Sequence, residues 1–508
     1  MAAEDMPGSG GGLGVNRREF LASCVGGVAG AYVSGVKTLL AADQPAATAA
    51  ATGPAGDGKC RIRLVFTHLG PKTPTWPNIG YDYEGRKKEL TEKLRQACPD
   101  VDFIPVTVNS AAEAKKIVEA DGPVTTQPAT QAATKSATQA TQPGAQIDAY
   151  LVYIVGIWTG APGVLVASGR PTILANDLYA GCGEFLVAYA GAKRKGLRVA
   201  GVSSSRFEDV VDAVRCVECV KKLRSSAILV VGANPGKRGK DVEEVFGTKV
   251  IPITFEQLDE AYKKADRAEA AKWAERWTKE AEKVVEPSKE DVENGGAMYL
   301  AMSDLLRQHK AQGITINCLG GFYGRKMKAY PCMGFFQFNN DGGVGACEAD
   351  VRCTISMLVM TYLTHRPGYI SDPVIDTSKN QIIYAHCVAS NKVFGPKGAS
   401  NPYHIRSHSE DRKGAVVRSL MPLGEMTTTV LFDPGKKQTI LHQAKTVANI
   451  DEDKACRTKL AAEVVGDIDK LLGEWDQWGW HRVTVYGDLR RQVEHFSALA
   501  GFSVLKEA

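Results

Sequence analysis

Short runs of apolar residues, each followed by a stretch with helical character, constrain this chain more than any other feature. The clearest is Ala149–Val155, Ala-Tyr-Leu-Val-Tyr-Ile-Val, which has no charged or amide side chain. A strand that is apolar on both faces must be covered on both faces, as in a parallel sheet between helices. Arg61–Phe66, Val101–Pro105, Arg170–Ala175 and Gly196–Gly201 are further strand-like runs, with helix patterns at Glu84–Ala97 and Ala111–Ala120. Strands alternating with helices predict a doubly wound, Rossmann-like α/β domain over 59–225. A second such domain is predicted over 226–312. It opens at Ser226–Gly232, adds a strand at Val250–Thr254 and continues in a charged helical stretch from Phe255 to about Gln308. The turn Gly232–Lys237 lacks the GxxxxGK[ST] and GxGxxG spacings and reads as a strand-to-loop turn, not a phosphate loop.

Residues 313–508 read differently. Ile314–Cys318, Ile382–His386 and Val483–Tyr486 are strand-like, and Val351–Leu363 is an apolar, hence buried, helix. The Gly-, Pro- and Thr-rich sequence between them, with alternating apolar positions, predicts an antiparallel β region with long loops. The expected fold is therefore two doubly wound α/β domains followed by a mixed α+β domain.

Two segments stand outside that fold. Asn16-Arg-Arg-Glu-Phe-Leu21, followed by a weakly apolar Gly/Ala-rich run, has the form of a twin-arginine (Tat) export signal over 1–42. A linker is expected over 43–58. The segment 125–146, almost wholly Thr, Gln, Ala and Pro, has too few large apolar groups to fold and reads as a disordered insertion. The run after the arginines is too weakly apolar for a stable membrane span, so an exported, periplasmic or extracellular protein without membrane insertion is expected. A net charge of +5 over 508 residues, with no basic block, argues against nucleic acid as a partner. The 12 cysteines are scattered and resemble no disulfide framework; Cys216-x-x-Cys219 has no second pair nearby. Buried free thiols are the expected state.

Chemistry-bearing residues concentrate late in the chain. Six of the nine histidines lie between His365 and His481. In Tyr403–Ser409, alternation puts His404, Arg406 and His408 on one face of a strand, as a site wall or a solvated surface. Glu348-Ala-Asp350 leads straight into the apolar helix, and such a pair serves equally as a helix cap or as hard oxygen ligands. His481 stands beside Trp480 at a strand entrance, and tryptophans offer apolar faces to sugar rings.

Together these segments resemble the catalytic domain of the L-fucose isomerase-like family. The likeness rests on Cys347-Glu348-Ala349-Asp350 running through Met357-Leu358 to Tyr362-Leu363-Thr364, then Asp372. It rests also on His481 before Val483-Thr-Val-Tyr486-Gly487, and on Gly320-Gly-Phe-Tyr-Gly324. The resemblance implies a metal-dependent aldose–ketose isomerase acting on a monosaccharide or close derivative through a cis-enediol. Asp350 and His481 would be ligands to Mn²⁺, or to Mg²⁺ or Zn²⁺. Glu348 would be a ligand or proton carrier, with Glu348 and Asp350 as the catalytic acids. His386, His404, Arg406, His408 and Trp480 would contact substrate, and the protein would be a homo-oligomer. The chain departs from the family where an upstream acid/base glutamate is expected: Pro331-Cys332-Met333 stands there. Glu348 could take that role, or an acid of the Glu410-Asp411 loop could reach in. Otherwise the protein is a non-catalytic sugar binder, or a lyase or epimerase working through an enediolate.

Overall fold

A computed structural model describes residues 58–123 and 146–508. The export signal, nearly all of the expected linker and nearly all of the 125–146 insertion lie outside the described residues. The first sheet contains β1 (Cys60–Thr67), β2 (Val101–Val108), β3 (Ala149–Ile154), β4 (Thr172–Asn176) and β5 (Val199–Val202), all parallel, in the order β2-β1-β3-β4-β5. Every residue of β3 is buried. Leu151 and Tyr153 join one core cluster, while Tyr150, Val152 and Ile154 join another. The apolar run is thus apolar because each face packs under its own layer.

A second parallel sheet contains β6 (Ala227–Val231) and β7 (Lys249–Ile253). The chain then runs through helices Phe255–Lys264 and Arg267–Glu280, the two-residue β8 (Lys283–Val284) and helix Lys289–His309. It returns to the same sheet as β9 (Gly313–Ile316) and β10 (Val344–Cys347), giving the order β10-β9-β6-β7. The boundary expected between 312 and 313 therefore runs through a sheet, not between domains. A long helical insertion separates β7 from its sheet-mates, and local pattern alone groups β9 with the strands after it in the chain.

The remaining strands are β11 (Tyr369–Asp376), β12 (Gln381–His386), β13 (Tyr403–Arg406), β14 (Val416–Ser419), β15 (Met426–Asp433), β16 (Gln438–Asn449), β17 (Thr458–Val465), β18 (Arg482–Tyr486) and β19 (Ser503–Lys506). Seven of them form one sheet, β15-β18-β11-β12-β17-β16-β19, and β15 also pairs with β16. The sheet therefore closes into an antiparallel barrel, with β19 added parallel to β16. Closure removes the exposed edges that an open sheet of this size would carry. A small separate sheet, β14-β13-β8, ties the barrel region to the helical insertion.

The chain's end returns to its beginning. Helix Arg490–Ala500 packs on helix Glu208–Arg224 and on β5. Arg491 Nη1 lies 3.1 Å from Asp209, Gln492 Nε2 3.0 Å from Asp212, and Arg198 Nε donates to the Leu499 carbonyl at 2.8 Å. No helix among the described residues is long and apolar enough to cross a membrane.

His495, on that returning helix, is buried, and burial together with the neighbouring Arg491 charge pulls its pKa down to about 4. The folded state holds it neutral, while the unfolded chain protonates it below about 6.5. Stability is lost as pH falls through that window, by about 2 kcal/mol at pH 5. Denaturant unfolding of His495→Gln at pH 7 and pH 5 should show a smaller acid-induced loss than the parent.

Candidate functional site

The end of β10 carries an unusual turn. Glu348 and Ala349 both have left-handed backbones, with φ of 59° and 52°. Such residues cost about 1–2 kcal/mol each outside glycine, and persist where surrounding contacts enforce them. Here the Ala349 N–H donates to the Ile316 carbonyl at 3.0 Å, locking the turn onto β9. Asp350 then caps helix Val351–Thr364, its Oδ1 accepting the Cys353 N–H at 3.0 Å. The helix is buried along nearly its whole length, so the cap and the turn before it are held by the core.

The barrel supplies the opposing wall. β11 pairs with β18 so that Ser371 faces Arg482, and Asp372 and His481 follow at the next step outward. β12 places Ala385 opposite Asp372, with His386 next along the strand. His481 ends among three acids. Its Nδ1 lies 3.1 Å from Asp350 Oδ2, and its Nε2 lies 3.1 Å from Asp372 Oδ1 and 3.4 Å from Glu348 Oε2. Burial by itself would lower the imidazole pKa, but the carboxylates of Asp350, Asp372 and Glu348 around it push it up to about 12. Burial would conversely raise Asp350, and His481 instead holds it down to about 2. Glu348 and Asp372 are likewise held below their ordinary values against burial, chiefly by His481. Three carboxylates against one imidazolium leave this buried cluster at two negative charges, an environment that favours a divalent cation.

Hydrogen bonding divides the roles. Both Asp350 oxygens are engaged, one by the helix N-terminus and one by His481 Nδ1. Asp350, expected as a ligand, contacts His481 Nδ1, the position of a carboxylate that orients a histidine from behind. That bond leaves His481 Nε2 turned toward Glu348 and Asp372, which line the cavity. His481 Nε2, Asp372 Oδ1 and His386 Nε2 are all buried and without a hydrogen-bond partner. The ligand atoms of Asp372, His386 and His481 lie within 4.8 Å of one another, as do those of Cys347, Glu348 and His386. His386 Nδ1 accepts the Cys387 N–H at 2.9 Å, which puts the proton of the neutral ring on Nε2. Its ring faces the site as a donor to a substrate oxygen, and burial lowers its pKa, keeping it neutral. Glu348, Asp372 and His481 thus form the oxygen-rich donor set that fits a hard divalent ion.

A cavity of about 320 Å³ opens over this cluster. Glu348, His386, His408 and Trp480, all expected at the site, line it, and so do Asp372 and Glu410. His404 and Arg406 do not. They share a face of β13, as alternation predicts, but that face meets the strand beside β8. His404 Nε2 lies 3.2 Å from Glu282, and Arg406 Nε lies 2.8 Å from both Glu286 oxygens. Their side chains are engaged by those glutamates, whereas β13 ends before His408 and the turn carries that residue into the cavity wall. At the place of the missing glutamate, Pro331 starts helix Cys332–Asn340 and Cys332 lines the cavity. Within the Glu410-Asp411 loop, Glu410 reaches the cavity, held by the Tyr323 hydroxyl, while Asp411 is held by Tyr330. Asp372, visible in sequence only as an acid after the helix, becomes a ligand candidate because register brings it to His481.

No family model matches the chain. It is similar to the sulfoquinovose isomerase of Priestia aryabhattai, 24% identical over 297 residues, covering 56% of this chain and 65% of that one. The sulfoquinovose isomerase of a Clostridium species is 23% identical over 305 residues, covering 55% and 64%. That of Alkalicoccus urumqiensis is 24% identical over 185 residues, covering 34% and 41%. The matched stretch thus spans between two-fifths and just under two-thirds of these relatives' length. Among solved structures, a solute-binding protein of an ABC transporter from Burkholderia multivorans, 12% identical, covers 61% of this chain and 95% of its own, with a TM-score of 0.17. A superposition that poor carries no argument. The isomerase likeness supports a sugar isomerase relationship at low identity.

The turn offers a direct check. Ala349→Gly removes the left-handed penalty without touching a donor atom, and should raise thermal stability by about 1 kcal/mol. An unfolding series with unchanged ligand affinity is the expected result.

Proposed function

We propose that this protein is a metal-dependent sugar isomerase, interconverting an aldose and its ketose. The observation that carries the reading is the buried cluster in which Glu348 and Asp372, at the cavity wall, meet His481 Nε2. The similarity to named sugar isomerases supports it. A manganese-type ion held by these three groups would supply positive charge to two neighbouring sugar oxygens. Asp350 keeps His481 in the tautomer and orientation that present Nε2. His386 Nε2–H donates to a sugar hydroxyl, and Trp480 offers an apolar face to the ring. Glu348, held ionised against burial, carries the proton between C1 and C2, the part played elsewhere by a positioned carboxylate. The two-residue left-handed turn keeps it from relaxing away from the sugar.

The wall also bears on the substrate. Among the described residues lining the cavity are three acids and no lysine or arginine. A sugar with an anionic substituent would meet repulsion there, so the proposed substrate is an uncharged aldose, unlike the sulfonated sugar in the relatives' names. The twin-arginine pattern supports action outside the cytoplasmic membrane, and the assembly is proposed as a homo-oligomer.

Metal analysis of the purified protein should find a bound divalent ion. Asp372→Asn and His481→Ala should each weaken its affinity at least about tenfold, and Asp350→Asn by about 10–100-fold, as for partners that orient a ligand. Glu348→Gln should abolish exchange of the C2 hydrogen with deuterated solvent on a panel of neutral aldoses, while Glu410→Gln retains it. Loss in Glu410→Gln alone would move the proton carrier to the opposite wall. Sugar binding without exchange in the parent would make the protein a binder, in keeping with Cys332 at the place of the missing glutamate. Exchange without ketose would make it an epimerase or lyase.

A further inference from the structure

Five of the eleven described cysteines line one cavity: Cys318, Cys332, Cys347, Cys387 and Cys456. Isomerisation uses none of them. Two are in contact. Cys318 follows β9, Cys347 ends the neighbouring β10, and their Sγ atoms lie 3.1 Å apart. The parallel pairing of β9 and β10, with Ile316 opposite Cys347, fixes their backbones side by side. Both side chains are almost fully buried from bulk solvent, yet both face the cavity, which admits a small molecule.

We propose that Cys318 and Cys347 are a reversible dithiol–disulfide pair that switches the site off when oxidised. The oxidant is a small disulfide entering the cavity. One thiol, as its thiolate, attacks the incoming disulfide, forming a mixed disulfide and releasing one small thiol. The second cysteine sulfur then attacks the first, forming the Cys318–Cys347 bond and releasing the second small thiol. The two cysteine sulfurs give up two electrons and two protons, and the small disulfide takes them up as two thiols.

The bond requires the sulfurs to close from 3.1 Å to about 2.05 Å. Cys347 is bonded directly to Glu348, whose left-handed backbone has little slack. A shift of about 1 Å at that point is enough to cost about a hundredfold in rate where a carboxylate must be held to its substrate. Oxidation would also tie β9 to β10 across the chain that carries helix Cys332–Asn340, another part of the wall. Cys387 and Cys456 are the competing pair: the Arg457 N–H donates to Cys387 Sγ at 3.4 Å, and Cys456 Sγ lies 3.8 Å from Asp372.

The test incubates the full-length protein with cystamine, a small cationic disulfide, then maps peptides without reduction. The expected product is a cross-link between the peptides of Cys318 and Cys347, accompanied by a higher melting temperature and reversed by dithiothreitol. Cys318→Ser and Cys347→Ser should each abolish the cross-link, while Cys216→Ser, buried elsewhere, should keep it. Both thiols remaining free, or a cross-link through Cys332, Cys387 or Cys456 instead, would overturn the proposal. The switching effect rests on the isomerase reading and is measured separately: turnover should drop about a hundredfold on oxidation and recover on reduction. A cross-link that leaves turnover unchanged overturns the switch, whereas a parent with no turnover before oxidation overturns the isomerase reading and leaves the cross-link standing.

Discussion

A buried imidazole ringed by three carboxylates is the constraint around which the C-terminal half of this molecule is arranged. Each of those acids is costly to bury alone. Asp350 is stabilised by the N-terminus of a buried helix and by His481. Glu348 and Asp372 have no lysine or arginine hydrogen-bonded to them among the described residues, only His481 within ion-pair distance of both. The positive charge on His481 offsets part of the charge of the three acids, and a divalent ion in place of that proton would leave one negative charge instead of two.

Two rigid bodies meet at this point. The acids at 348 and 350 come from the carboxyl end of a parallel sheet, where open α/β folds commonly place their ligands. Asp372, His386 and His481 come from the rim of a closed antiparallel barrel. The barrel rim brings Asp372, His386 and His481 together, and the sheet end adds Glu348 and Asp350. The helix Val351–Thr364 belongs to both, since it is capped at the sheet's edge and packs against β15 and β18 of the barrel. A change in how that helix seats would move two of the three carboxylates relative to the histidine.

Much of the fold was legible. The runs at Ala149–Val155 and Ser226–Gly232 are apolar on both faces, and the structure uses both faces. Asp350 was legible as a cap because an acid precedes a long apolar helix. The barrel was legible only as an antiparallel region, since closure depends on β15 meeting β16 and β18 at once, and no local pattern records that. His404 and Arg406 show the opposite failure. Alternation correctly put them on one face, but it cannot say what the face meets, and Glu282 and Glu286 meet it from more than a hundred residues away.

The sequence by itself determined which segments are strands and helices, because periodicity and cap chemistry act within a few residues. It also determined that acids and histidines gather in the last third, because composition is local. Tertiary structure decided which of them form a site. Asp372 becomes a partner of His481 through the antiparallel register of β11 and β18, and one step of register would turn both side chains to the other face. Asp350 meets His481 because the capped helix and the barrel rim come together there, its two oxygens placed against the Cys353 N–H and His481 Nδ1. The sheet boundary at 313 and the contact of Cys318 with Cys347 were decided the same way, by strands pairing across long stretches of intervening chain whose length no short-range pattern can bridge.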